Sequence, residues 1–279
     1  MQNWDLVIRP RTGWFDIHFG DLYRYRGLIY LMVKRDFVTF YKQTILGPLW
    51  YIIQPLVTSV VFTVVFGRLA RVPTDGVPPF LFYMAGTVAW GYFSTCLTTT
   101  SNTFVQNAGI FGKVYFPRLT VPVANVIVGL MQFTVQFLIF LGFLVWYSLE
   151  GADIQITKFV LLLPLILLQM GILGLGFGIL ISSLTSKYRD LTFAMGFAVQ
   201  IWMYATPVVY PLSVVPEKYR ILAAINPMTP IVECFRKAFL GTSSVEPMHG
   251  VIGVITTLIV FVAGVVMFSR IERTFMDTV

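Results

Sequence analysis

Apolar residues along this chain come in long unbroken runs, not in the alternation of a half-buried strand. Stretches free of Asp, Glu, Lys and Arg lie between Lys42 and Arg68, and within 78–104, 119–149, 159–186, 191–210 and 248–269. A helix needs roughly 20 mostly apolar residues to cross the hydrocarbon core of a bilayer. Each run therefore predicts one crossing. The expected fold class is an all-α membrane protein with six transmembrane helices, divided into an N-terminal segment (1–47), a permease-like bundle (48–270) and a short tail (271–279). An even number of crossings places both termini on one side.

Two segments outside the runs also carry periodic signals. Residues 21–42 place Leu22, Tyr25, Ile29, Val33, Phe37 and Phe40 three or four apart, with Arg24, Arg35 and Lys42 on another face. Leu28 and Leu31 interrupt that polar face. The pattern predicts an amphipathic helix lying on the inner membrane surface, its basic side toward lipid phosphate or a partner. Residues 211–247 hold five prolines and two half-apolar pieces, 215–225 and 231–240, each too short to cross. These predict re-entrant outer half-helices between spans five and six, broken at Asn226-Pro227.

Composition strengthens the membrane reading. Of 279 residues, 57% are hydrophobic and 12% charged, and the mean hydropathy is +0.77, whereas soluble domains carry roughly 25% charged residues. The net charge of +7 flanks apolar runs and forms no basic face, which argues against nucleic acid. With the N-terminus inside, thirteen Lys and Arg fall in inner segments and seven in outer ones, Arg236 and Lys237 among the latter. This favours a cytoplasmic N-terminus. Residues 1–14 are polar and aromatic and predict no cleavable leader. Cys96 and Cys234 are far apart and read as small packing residues.

No GxxxxGK[ST], HExxH, CxxC or GxSxG motif occurs, and the two histidines lie at opposite ends of the sequence. No catalytic residue, metal site or cofactor is expected. The cores of the six runs hold no ionisable side chain, so a proton-driven carrier is disfavoured. They hold neutral polarity instead. Trp90, Ser94, Thr98 and Ser101 share one helix face, as do Asn125, Gly129, Gln132 and Gln136, and Tyr51, Gln54, Thr58, Gln200, Trp202, Tyr204 and Thr206 add to them. Such groups either bond a neighbouring helix or line a hydrated path. As a path, Tyr51, Gln54, Trp90, Ser94, Thr98, Asn125, Gln132, Gln136, Trp202 and Tyr204 would suit a neutral, hydroxyl-rich cargo. Gly171, Gly174 and Gly178 read as close helix packing.

Ordered motifs run through the chain. They include Tyr23-Arg24-Tyr25-Arg26, Lys34-Arg35-Asp36, residues 41–50 (YKQTILGPLW), Gln54-Pro55-Leu56, Phe66-Gly67-Arg68-Leu69, residues 113–118 (KVYFPR), Tyr188-Arg189-Asp190, residues 206–210 (TPVVY) and 226–230 (NPMTP). In this order and spacing the sequence resembles the ABC-2 polysaccharide exporter permeases, the membrane subunits of O-antigen, capsule and teichoic acid exporters. The resemblance implies a homodimeric path in the bacterial cytoplasmic membrane, driven by two separate ATPase chains that bind the ATP. The cargo would be a lipid-linked glycan such as O-antigen. It further implies ATPase docking through the amphipathic helix (Arg24, Arg35, Lys42) and through residues 107–116 (Asn107, Phe111, Lys113, Tyr115), with an outer gate around Tyr210, Asn226 and Pro227. Teichoic acid, capsule, lipid and drug remain alternative cargoes. A membrane glycosyl- or acyltransferase is the other alternative, but its candidate acids Asp36 and Asp190 sit beside Arg35 and Arg189 and read as ion-paired.

Overall fold

An apolar chain in lipid has to satisfy its own amides, and among the described residues every regular element is helical. The computed structural model describes residues 19–274 apart from 44–46, 48, 112, 115, 186–187, 189 and 243–246. Five segments are long and apolar enough to cross a membrane: Leu49–Leu69, Pro79–Ser101, Thr120–Leu149, Lys158–Thr185 and Pro247–Arg270. The first comprises α3 (Leu49–Phe62), interrupted by Pro55 and extended by a π-helical stretch, Thr63–Leu69. The others are α4 (Pro79–Ser101), α6 (Thr120–Leu149), α7 (Leu163–Thr185, entered through a 3₁₀ turn) and α11 (Pro247–Thr274). Helix α11 thus runs on into the expected tail.

The sixth run forms α8, Leu191–Ala205, 15 residues long. At 1.5 Å per residue it spans about 22 Å, short of the ~30 Å hydrocarbon core. Pro207 explains the early stop. It pushes Thr206 into an extended conformation (φ −97°, ψ 143°) and has no N–H with which to continue the ladder.

The N-terminal region is two helices, α1 (Phe19–Arg24) and α2 (Arg26–Gln43), joined at a turn on Tyr25. Met32 and Val33 are buried, Tyr25, Leu28 and Ile29 are half-buried, and α2 packs on α6. Leu28 therefore belongs to the packed face, whereas Leu31 and Phe37 are exposed. The short α5 is Thr103–Phe111. Beyond α8, the two pieces flanking Asn226-Pro227 are α9 (Glu217–Ile225) and α10 (Met228–Leu240). Gly241, at φ +75°, ends α10 in the left-handed conformation suited to glycine. Thr157 then caps it, its N–H donating to Ala238 O (3.0 Å) and its hydroxyl to Lys237 O (2.7 Å).

Helix α4 is the hub. In its most apolar window 78% of residues are buried, against 17–33% in the other four long segments. It packs on α3, α6, α7, α8 and α10. The α4–α7 contact is close because α7 presents glycine: a methyl at Gly178 would lie 2.5 Å from Thr100 Cβ, and one at Gly174 would lie 2.6 Å from Cys96 Cβ. The sequence expectation for these glycines is matched. On its other side α7 meets α11, where a methyl at Gly264 would lie 2.5 Å from Gly176 O. Rings fill the α6–α10 seam, with Phe140 and Phe239 edge to face at 5.7 Å.

Gly178→Leu should lower the thermal midpoint of the purified protein, by about 1–3 kcal/mol of stability or more, because overpacking a tight seam forces backbones apart. Gly142→Leu, at a position with no neighbour within 4 Å, should leave a fluorescence-monitored melt unchanged.

Candidate functional site

The polar residues of α3, α4, α6 and α8 converge on a cavity of about 350 Å³. Helix α3 supplies Gln54, Pro55 and Thr58, and α6 supplies Gln132 and Gln136. One face of α4 contributes Trp90, Ser94, Thr95 and Thr98, and α8 contributes Val199, Gln200 and Met203. No lining residue is ionisable. The volume lies at the low end of the roughly 300–1,000 Å³ of small-molecule sites.

The wall contains two kinds of polar group. Its threonine hydroxyls are mostly occupied by their own helices: Thr58 donates to Gln54 O (2.9 Å), Thr98 to Ser94 O (2.8 Å) and Thr87 to Met84 O (3.1 Å). The amides of Gln54, Gln132, Gln136 and Gln200 form no hydrogen bond with any described residue. Gln136 matters most, because only 4% of it is exposed. Its amide opens onto the cavity and bonds no described residue, so whatever fills the cavity supplies its bonds.

Other candidates for the path are placed elsewhere. Asn125 bonds a neighbouring helix, its Nδ2 donating to Thr99 O (3.3 Å). Trp202 packs edge-on against Trp90, Phe93 and Phe177. Tyr51 is half-buried and Tyr204 exposed, and neither lines the cavity. Ser101 is buried beyond it, donating to Thr98 O (2.8 Å).

The residues expected at a docking surface divide similarly. Arg24, Arg35, Lys42 and Lys113 are exposed, and Arg35 pairs with its neighbour Asp36 at 2.7 Å. Asn107 is half-buried and donates to Thr103 O (2.9 Å). Phe111 is only 2% exposed, with its ring against Phe104 and Phe116 and the Arg118 guanidinium 5.5 Å above it. It therefore anchors α5 from inside and offers no outward surface. Tyr115 lies outside the described residues.

At the third expected site, Asn226 joins α8 to α10. Its Oδ1 accepts from Trp202 Nε1 and from the Met228 N–H, both at 3.1 Å, and its Nδ2 donates to Thr206 Oγ1 at 2.8 Å. Pro227 is buried at the start of α10. Tyr210 is half-buried, and its hydroxyl donates to Ala205 O at 3.5 Å.

The sequence counts Arg236 among the outer cations, on the half-helix expected over 231–240. It is 1% exposed. Its Nη1 donates to Pro207 O (2.5 Å) and to Glu233 Oε1 (3.1 Å), its Nη2 donates to Val208 O (2.6 Å), and its Cζ lies 3.7 Å from the centre of the Phe82 ring. Burial holds the guanidinium pKa below its ordinary value, with the adjacent Glu233 carboxylate opposing that shift. The fork ties α10 to the chain leaving α8, and a methyl at Gly86 of α4 would lie 2.8 Å from Nη2. The available signal was Glu233 three residues earlier, an opposite charge on the same helix face inside an apolar segment.

A profile of the ABC-2 type transporter family matches residues 27–240, most of the chain. The chain belongs to the ABC-2 type transporter family. It is similar to the O-antigen export system permease protein RfbA of Klebsiella pneumoniae, at 26% identity over 90% of this chain and 94% of that one. The Myxococcus xanthus protein of the same name is 25% identical over 91% of this chain and 96% of its own length. The polysialic acid transport protein KpsM of Escherichia coli is 20% identical over 74% and 78%. As an ABC-2 protein the chain is a membrane transport subunit, and it is no enzyme in its own right. The cavity lies wholly within the matched region of this ABC-2 chain.

Arg236→Met in this transporter chain should destabilise it by about 3–5 kcal/mol, since the buried Arg236–Glu233 ion pair and the bonds to Pro207 O and Val208 O are lost together. Adding Glu233→Leu should recover most of the lost thermal midpoint, and Arg236→Met alone should be the least stable form in a denaturation series.

Proposed function

We propose that this chain is one half of the membrane path of an ATP-driven exporter that moves a polysaccharide of the O-antigen type out of the bacterial cytoplasm. The carrying observation is the uncharged cavity lined by unbonded amides within an otherwise apolar bundle. A bundle with no ionisable group in that wall has no coupling ion to use, so the work comes from ATPase chains. The relatives named for O-antigen export, which cover nine-tenths of the sequence, support the cargo class. On this reading a second copy completes the path and two cytoplasmic ATPases drive it. The glycan travels on a lipid carrier.

The placement of charge supports an orientation. The excess of Lys and Arg on 1–47 and the other inner segments favours both termini in the cytoplasm, with α8 and the following 206–210 together making the sixth crossing. Helix α2 then lies along the inner interface, where the exposed Arg35 and Lys42, with Lys113 after α5, form the ATPase-facing surface. Helices α9 and α10 become the re-entrant elements of the outer face, and Tyr210, Asn226 and Pro227 its gate.

The test is reconstitution. The purified chain should hydrolyse no ATP, and proteoliposomes holding it with its partner ATPase should release glycan only when ATP is present. An Arg35→Glu, Lys113→Glu double variant should lower transporter-stimulated ATPase activity about tenfold, by setting like charges against the partner, with its thermal midpoint unchanged. Unaltered stimulation would remove these residues from the docking surface. ATP-driven release of a lipid or drug in place of glycan would reassign the cargo.

A further inference from the structure

Resting on the export reading above, we propose that the cavity between α3, α4, α6 and α8 is a sugar-binding subsite selective for uncharged stretches of glycan, with the Gln136 amide as its specificity-determining contact.

Four amides from three helices meet at one small cavity, and none bonds a described protein group: Gln54, Gln132, Gln136 and Gln200. Elsewhere in the bundle a half-buried glutamine finds a partner, as Gln169 does in donating to Thr257 Oγ1 (3.4 Å). Gln54 and Gln200 are exposed and Gln132 is half-buried, whereas Gln136 is buried, so Gln136 is the amide whose unbonded state belongs to the cavity. An amide offers two donors beside an acceptor carbonyl, the complement of neighbouring hydroxyls on a sugar ring, each of which both donates and accepts. Gln136 is the most enclosed of the four, so its bonding capacity is directed to cavity contents and not to bulk solvent.

Its position is also built. A methyl at Gly91 of α4, another lining residue, would lie 3.3 Å from Gln136 Oε1. The bare backbone leaves this carbonyl its place. Trp90, one residue earlier, lines the same wall and, with its ring held against Phe93 and Trp202, adds an apolar edge beside the amide.

Selectivity follows from what the wall lacks. An acidic glycan entering here would surrender hydration of its carboxylates and meet no lining cation in return, and an unpaired charge is expensive in such a setting. A neutral stretch incurs no such penalty. Of two polymers reaching the bundle, the uncharged one is accepted.

The full chain, held in nanodiscs of phosphatidylethanolamine and phosphatidylglycerol, is titrated with neutral oligosaccharides of glucose, mannose and rhamnose and with an oligosialic acid of equal length. Calorimetry and tryptophan fluorescence follow binding. At least one neutral probe should bind and the acidic one should not. Gln136→Leu should weaken the neutral ligand about tenfold with a thermal midpoint no lower than that of the parent, because no hydrogen bond to a described residue is lost. Gln136→Lys should gain the acidic probe, a change that a merely structural role would not produce. Gly91→Ala, which presses on the amide oxygen, should weaken neutral binding without admitting the acidic probe.

Equal binding of both probe classes, binding by no neutral probe, or unchanged affinity in Gln136→Leu would overturn the subsite. Export by the complex with its ATPase separates this failure from the larger one. If the Gln136→Leu complex moves neutral glycan at the parent rate and rejects acidic glycan as before, the subsite is wrong and the export reading stands. If the parent complex moves no glycan, the export reading fails and the subsite fails with it.

Discussion

The structure depends on how closely other chain segments can approach α4. A helix enclosed on every side has little freedom to accommodate side chains, and here the approach is made by leaving them out. Gly174 and Gly178 bring α7 against Cys96 and Thr100, Gly129 brings α6 within van der Waals reach of Cys96 and Tyr92, and Gly86 of α4 itself admits the Arg236 guanidinium. In lipid, where apolar burial between helices gives little driving force, such close contact supplies the dispersion energy that holds helices together. Interhelical bonds then fix the register: Thr185 Oγ1 donates to Ser101 O at 3.0 Å, and Ser59 shares a hydrogen bond with Thr87 at 3.1 Å.

That constraint also explains the cavity. The glycine at position 91 on α4 faces an amide where Gly129, Gly174 and Gly178 face a neighbouring helix, so at this point the close packing opens into polar space. The outer surfaces of the long helices remain apolar, with exposed Val57, Val60, Leu138, Phe193 and Phe197 suited to acyl chains or to another apolar surface. The unbonded amides are gathered on a small interior wall reached from α3, α4, α6 and α8.

Much of this was legible in the sequence. Runs of apolar residues locate helices because their length is set by the bilayer, and a period of 3.6 shows which residues share a face. Gln132 and Gln136, four apart, and Trp90, Ser94 and Thr98, at the same spacing, do line one cavity. Periodicity does not say which neighbour a face meets. Asn125 lies on the same face as Gln132 and is taken up by the Thr99 carbonyl, while Trp202 is taken up by three rings and an asparagine. Arg236 shows the limit most clearly. Its burial depends on carbonyls 28 and 29 residues away, freed because Pro207 ends α8. No local pattern around position 236 contains that information.

The same linkage sets how a movement at one end of the bundle reaches the cavity. Trp202 Nε1 is bonded to Asn226, whose Oδ1 also accepts the Met228 N–H at the start of α10. The Trp202 ring lies 6.2 Å from that of Trp90, which lines the cavity, and 5.1 Å from that of Phe93. Displacing α10 from α8 therefore requires either breaking the Asn226 bonds or carrying the indole along, and the second course shifts the ring against the cavity wall. Arg236 resists the first step by pinning α10 to Pro207 O and Val208 O. Two polar clamps and one aromatic contact thus make the α9–α10 hairpin and the cavity mechanically continuous, although no side chain spans the whole distance.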